Sequence, residues 1–444
     1  MADLSSPLSV GQLSRRRFLQ RAGMAVAAGV VFPSIIPARA LGRDGNVSPS
    51  NRITVGTVGT GQGMDSIRRF ASYSDVQVVA ICDLHKGRRE GAVKDVNNRY
   101  KNNSVKGYAD FREMFAKAGL DAVVVAPPDH WHAIIAIAAA RAGLDIYGEK
   151  PVAHTIAEGR AIANAVKQHA RIWQTGSWQR STSNFYQAVN LVRNGAIGKV
   201  SRVHVGTLAT QNGFSRSLGS KKNANDRLPS KVDFDYDFWL GPAREMEYDS
   251  RFTVYSWRWI LNFGGGNLMD WVGHHVDIAH WGMGYDETGP VKVVGTGEYS
   301  TKAPWDAEVK YKYECTYADG NVISVGSSHA SGTKFFGEGD KWIYVDRGRL
   351  TASEPSILST RVGADVPVYN SRDHWRNFID GVKTRKETIT PIEIGHRSAS
   401  IGHLGHIAVQ TGRTINWDPA TETIKDDPGA SALLSPNYRS PWVL

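Results

Sequence analysis

The stretch ITVGTVGTGQGMDSIRRF, residues 53–70, followed by VQVVAICD, residues 76–83, decides the fold. An apolar strand breaks into Gly59-x-Gly61 and then into a helical pattern. The chain therefore turns tightly, and its backbone can approach a pyrophosphate held at the helix N-terminus. Gln62 and Gly63 continue the loop, and the third glycine position of the dinucleotide fingerprint falls on Met64. The second strand ends in Asp83, 22 positions after Gly61, where an acid binds a ribose diol. That acid favours NAD over NADP, whose 2′-phosphate would meet its charge; the cluster Lys86, Arg88, Arg89 leaves NADP open.

Downstream, YADFREMF reads as a helix, residues 120–126 as an apolar strand running into PPDHWHA (127–133), and AIIAIAAARAGL as a helix leading to the strand DIYGEKP. Alternating strands and helices specify a doubly wound parallel sheet whose carboxyl edge faces the cofactor. The candidate contacts on that edge are Pro127, Pro128, His130, Trp131, His132, Glu149 and Lys150, with the two histidines positioning the cofactor. After it the pattern changes. SRVHVGTLAT, VKVVGTGEYS, EVKYKYECTY, NVISVGSSHA and DKWIYVDRG alternate in the manner of strands, and Asp319-Gly320 is a hairpin signal. Strands in succession with few helices between them predict an antiparallel sheet. Two C-terminal helices follow, in HWRNFIDGVKTRK and EIGHRSASIGHLGHIAVQTG. The fold class is thus α/β: an N-terminal Rossmann sheet, residues 52–152, and an α+β domain with an open, mainly antiparallel sheet, residues 153–420, ending in a tail, 421–444.

Between these strands, residues 209–263 form a polar, aromatic-rich connection, long enough to be a substrate-side lid or an oligomer-facing arm. Trp257, Arg258 and Trp259 lie in it, and Trp257 and Arg258 are substrate candidates. Trp178 and Arg180 are two more, since aromatic faces and guanidinium donors suit polyols. Lys150, at the end of a strand where a nicotinamide belongs, can donate to a substrate hydroxyl and stabilise alkoxide charge. In GGGNLMDWVGHHVDIAHW (264–281), Asp270, His274 and Asp277 share one helical face. Two carboxylates and an imidazole could hold a cation, but no further ligand is placed to complete a shell, so no metal is expected. An imidazole with an acid one turn away suits proton transfer. His275 points about one hundred degrees away and is a spectator; His374, His396, His403 and His406 read as satisfied helix histidines.

With PPDHWHA, GEKPVA (148–153) and Asp270-x-x-x-His274, the chain from about residue 51 onward resembles the Gfo/Idh/MocA oxidoreductases. The resemblance implies oxidation or reduction of a hydroxyl on a sugar or cyclitol. It also implies an open sheet that forms a dimer face, hence a homodimer or homotetramer. It assigns His274 as general base, Asp270 as its orienting partner or a substrate-hydroxyl acceptor, and Lys150 as the group that polarises the reacting oxygen. Asp277 has no counterpart and is read as structural. Redox glycosidases on the same fold are the alternative; Glu149-Lys150-Pro151 favours the dehydrogenase arm.

The chain has 444 residues, 41% apolar, with a formal charge of +10. Residues 1–40 hold Arg15, Arg16, Arg17, Arg21 and Arg39 against Asp3, which accounts for +4 of that charge. No dense basic run with interleaved aromatics follows, so nucleic acid is not an expected partner. Ser14-Arg15-Arg16-Arg17-Phe18-Leu19 precedes an apolar stretch too short for a stable membrane span, then Ala38-Arg39-Ala40, and resembles a twin-arginine export signal. It implies the Tat machinery as a partner, cleavage after about Ala40, a linker over 41–51, and a periplasmic or secreted protein whose nicotinamide is tightly bound and recycled in place. Cys82 and Cys315 lie in strand-like runs and read as buried thiols.

Overall fold

The computed structural model describes residues 47–207, 227–253, 255–363 and 365–444. The export-signal residues lie outside the described residues. Residues 52–444 form one compact unit holding two sheets.

The first sheet has strands β1 (Ile53–Val58), β2 (Val76–Cys82), β3 (Lys106–Tyr108), β4 (Ala122–Val125), β5 (Asp145–Gly148) and β6 (Trp173–Thr175), in spatial order β3-β2-β1-β4-β5-β6. All pairings are parallel. Central β4 is AVVV and buried on both faces, because helices cover a parallel sheet from either side. Those helices are α1 (Gly63–Phe70), α2 (Lys86–Tyr100), α3 (Phe111–Lys117), α4 (His132–Arg141) and α5 (Ile156–Gln168). Their starts are set locally: Asp110 and Thr155 cap α3 and α5 through their side chains. The sheet extends past residue 152, where the sequence reading ended it. Its sixth strand is WQT, three residues without an aliphatic run, and so carries no strand signal of its own.

The second sheet comprises β7 (Arg202–Gly206), β8 (Lys292–Tyr299), β9 (Glu308–Thr316), β10 (Val322–Gly326), β11 (Gly332–Phe336), β12 (Trp342–Asp346), β13 (Arg349–Ala352), β14 (Ile415–Asp418) and β15 (Thr423–Ile424). Among the described residues every pairing is antiparallel except β7 with β10. Asp319-Gly320 closes the β9–β10 hairpin as expected, with Gly320 at φ +84° and Thr316 opposite Val322. In β9, Tyr311, Tyr313 and Cys315 point inward while Lys310, Lys312 and Glu314 alternate outward. The inward face carries the last long helix, Ile392–Thr411, in close contact: a Cβ on Gly405 would stand 2.7 Å from the Tyr313 ring. Cys82 and Cys315 are both buried free thiols.

The long connection is not a loose lid where it is described. Phe234, Trp239, Phe252, Trp257, Trp259 and Phe263 bury one another in a separate aromatic cluster. The last residues pack against the turn after β4 and the long connection: Trp442 stands edge-on to Trp131 at 4.8 Å and stacks on Phe238 at 5.9 Å. Tyr438 hydrogen-bonds the buried Glu158.

Candidate active site

A cleft of about 360 Å³ runs along the carboxyl edge of the parallel sheet, from the glycine loop to Lys150 and Asp270. Gly59 sits at φ +91°, and a Cβ there would stand 2.3 Å from the Ala126 carbonyl oxygen, so only glycine lets β1 and β4 end side by side. Gly61 is different: a Cβ there would meet nothing within 4 Å. Its space is open and faces the cleft. Gly63 supplies the close helix–strand approach of the missing third glycine, since its Cβ would lie 2.9 Å from that of Ala126. The fingerprint is thus met one position early. Met64, expected at the cofactor, is buried in the core beneath the helix instead.

Asp83 lines the cleft, but its carboxylate is already engaged. Oδ2 accepts from the Thr60 amide (2.9 Å) and hydroxyl (2.5 Å), and Oδ1 from the His85 amide (2.8 Å). Of about four lone-pair directions, roughly one remains for a ribose hydroxyl. Gln62 lies on the rim, accepting from Arg258 at 2.9 Å. Pro127, Pro128, Trp131, His132 and Glu149 also line the cleft. An open glycine turn, an acid with a vacant acceptor direction and a long trough fit a dinucleotide.

His130 does not belong to that trough. It is buried with its ring nitrogens at the Trp239 (3.1 Å) and Phe263 (3.4 Å) carbonyls, and burial depresses its pKa to about 3. It ties the aromatic cluster to the sheet edge. His132 is similarly committed, to the Pro151 (2.7 Å) and Pro127 (3.0 Å) carbonyls, so it presents a ring face and no free nitrogen. Beside them stands Asp129, which the motif reading passed over. Burial, and then the nearby Asp270 charge, push its carboxyl up to about 8 against the pull of Arg258 and Lys150.

At the inner end, Lys150 Nζ donates to the Asp270 carboxylate (2.8 Å) and to the Asp270 carbonyl (2.9 Å). Asp270 ends the helix Gly266–Asp270, where a cation complements the free carbonyls. Arg258 approaches the same carboxylate at 3.7 Å. Burial raises the Asp270 pKa, and the charges of Lys150 and Arg258 outweigh that and hold it below the usual value. Asp270 does not orient His274. Between them the helix widens into a π-helical turn, Val272–Val276, which alters the spacing an α-helix would give. His274 Nδ1 is buried without a hydrogen-bond partner among the described residues. Burial first, then the positive charges of Lys150 and Arg347, keep His274 neutral and its pKa well below normal. Gly273 makes this arrangement possible: a Cβ there would lie 2.5 Å from Lys150 Cβ.

The π turn also sends Asp277 to the far side. It takes two hydrogen bonds from Arg180, at 2.7 and 2.8 Å, and one from Ser398 at 2.8 Å. Arg180, expected to meet substrate, is 1% exposed and held by Asp277 and Asp286. It is an internal strut. Trp178 does reach the site, edge-on to His274 at 6.0 Å. Trp257 and Arg258 line the same cleft, and Arg258 spans it from Gln62 (2.9 Å) to the Asp270 carboxylate (3.7 Å). His275, the expected spectator, is fully buried between the Gly206 carbonyl, the Gly332 amide and Asp346. Arg347, in the turn between β12 and β13, was not foreseen; it lies over both Trp178 and Trp271, each 4.8 Å from its guanidinium.

A dinucleotide trough ending on a partly buried lysine–aspartate pair beside an imidazole defines a Rossmann-type oxidoreductase. The chain belongs to the Gfo/Idh/MocA oxidoreductase family. Residues 53–177 match its NAD-binding Rossmann fold, and residues 183–444 its C-terminal alpha/beta domain. Among curated relatives, inositol 2-dehydrogenase 1 of Saccharopolyspora erythraea is 34% identical over 155 residues, which is 34% of this chain and 44% of that protein. A glycosyl hydrolase family 109 protein of Shewanella sp. MR-4 is 26% identical over 211 residues, covering 42% of this chain and 44% of that protein. The chain thus matches less than half the length of these relatives. The fold extends over far more. The WlbA dehydrogenase of Bordetella pertussis, solved with NADH and UDP-GlcNAcA, superimposes with a TM-score of 0.61 at 18% identity, covering 83% of this chain and 99% of that one. An aldose-aldose oxidoreductase of Caulobacter crescentus gives 0.56 at 18% identity over 82% and 99%.

Proposed function

We propose that this protein transfers a hydride between a nicotinamide dinucleotide, NAD in preference to NADP, and a hydroxyl or carbonyl carbon of a sugar, sugar derivative or cyclitol. The observation that carries this reading is the Lys150–Asp270 pair at the closed end of the cleft, 2.8 Å apart, with neutral His274 beside it. The bound nicotinamide supplies the hydride acceptor. The chain's own residues do the rest. Lys150, fixed by two hydrogen bonds to Asp270, presents its remaining proton to the substrate oxygen and stabilises the charge that develops there. His274, kept neutral by burial and by neighbouring cations, has a vacant acceptor for the hydroxyl proton. Asp270 holds the lysine in place and does not serve the imidazole. The same groups run carbonyl reduction in reverse.

The leader motif supports export through the Tat machinery to the periplasm or beyond, with the cofactor folded in and reoxidised in place by a second carbonyl substrate. The packed aromatic cluster at the cleft mouth is compatible with such retention. A homo-oligomer formed through the open sheet belongs to the same proposal. The test is direct: the purified mature protein carries stoichiometric nicotinamide, and a sugar or cyclitol reduces it. Protein that arrives empty and binds NAD weakly defeats the retained-cofactor part. The family 109 similarity favours one second reading, a redox-mechanism glycosidase. Catalytic release of nitrophenol from a nitrophenyl glycoside with no acceptor present would establish it.

A further inference from the structure

Arg347 occupies the two-residue turn Arg347-Gly348 that joins β12 to β13, with Gly348 at φ +73°. Its guanidinium lies over Trp178 and Trp271, each at 4.8 Å. Both rings are also edge partners of His274, at 6.0 and 5.6 Å, so guanidinium and imidazole share one pair of aromatic walls. The Nε of Arg347 donates to Gln179 at 3.1 Å, and Gln179 is itself fully buried, which fixes the plane of the group. Among the described residues, Nη1 and Nη2 have neither a hydrogen-bond partner nor an ion pair. The neighbouring carboxylate, Asp346, turns Oδ1 toward His275 (3.4 Å) and the Arg347 amide (2.7 Å), and among the described residues it makes no ion pair with the Arg347 guanidinium. The other carboxylate, Asp270, is already shared by Lys150 and Arg258. A planar cation clamped by stacking, with its two terminal nitrogens unclaimed, is the geometry that takes two anionic oxygens at once.

We propose that Arg347 recognises an anionic group on the substrate, so that the molecule turned over beside His274 is an acidic sugar, bearing a carboxylate or phosphate whose oxygens pair with Nη1 and Nη2. This rests on the sugar-oxidoreductase reading and deepens it. The Asp270 carboxylate faces Lys150 and Arg258, and an anionic group on the substrate would pair with the third cation, Arg347. Lysine would not serve equally, because a point charge lacks the fork that matches a carboxylate.

The experiment titrates glucuronate, gluconate, glucose 6-phosphate and glucose calorimetrically into the NAD-loaded full chain, and follows nicotinamide reduction in parallel. At least one anion should bind tenfold or more tightly than glucose. Arg347→Ala should weaken that anion by roughly 10- to 100-fold and collapse its kcat/KM advantage over glucose, and Arg347→Lys should restore only part. Preference for the sugar acids identifies the carboxylate as the source of the charge, and preference for glucose 6-phosphate the phosphate. Failure of every anion to outbind glucose, or a preference that survives Arg347→Ala, overturns the proposal. Anion binding that needs Arg347 without nicotinamide reduction by any sugar leaves this site standing and sinks the oxidoreductase reading. Reduction by neutral sugars with no anion preference does the opposite.

Discussion

The site is built from two junctions that handle polar residues in opposite ways. At the sheet edge, residues 127–150, each chemical residue sits at the end of a strand, and its place in space follows its place in the chain. In the helical segment 266–283 the π turn separates neighbours: Asp270 faces Lys150, while Asp277 faces Arg180. Two aspartates seven residues apart thus divide between chemistry and scaffold. A strand edge preserves sequence order, and a π turn redistributes it.

The largest effect is expected on the scaffold side. Asp277→Ala leaves Arg180 buried with Asp286 alone, and breaking such a pair costs about 3–5 kcal/mol. Urea unfolding should show a loss of that size; a shift within error would mean the pair is dispensable. Next is the chemical side. Lys150→Met should lower kcat/KM by about 10²–10³-fold, the usual effect of deleting one preorganised donor, with NAD affinity changed only a few-fold. A variant with wild-type turnover would remove Lys150 from the mechanism.

Gly273→Ala probes the contact between the two junctions. Its Cβ would displace the Lys150 stem from 2.5 Å, and a misplacement of about 1 Å can cost about 10²-fold in rate. The loss should appear in kcat together with a lowered melting temperature, because the Lys150 Cβ cannot swing aside as a side-chain tip would. A fourth test concerns Asp129. Folded, its carboxyl keeps its proton up to about pH 8; unfolded, it gives it up near 3.8, so between those values the folded state binds more protons. Its contribution therefore makes stability fall as pH rises from about 4 to about 8. Asp129→Asn should flatten that part of the stability profile, and an unchanged slope would show that the carboxyl is already ionised.

The same contrast explains what could be read from residue order. The glycine turn, the strand ending at Lys150 and the alternating strands around Asp319-Gly320 carry local periodicity or turn chemistry, so they were readable directly. Trp173–Thr175 joins the parallel sheet through pairing with β5, a nonlocal fact that three residues do not encode. Arg180 and a substrate-facing arginine have the same local signal; only the distant Asp277 and Asp286 distinguish them. Arg347 looked like any arginine in a hairpin turn, because its tryptophan walls come from positions 169 and 76 residues earlier. Gly273 gave one overlooked hint, a glycine inside an otherwise helical run, which in retrospect marks a close approach.

Trp442 packs behind Trp131 and Phe238, two rings that line the cofactor cleft. It follows Trp131 by 311 positions. At translation speeds of about 5–20 residues per second, roughly 15–60 s separate the synthesis of the two rings. During that interval two of the cleft's lining rings lack the partner that packs behind them.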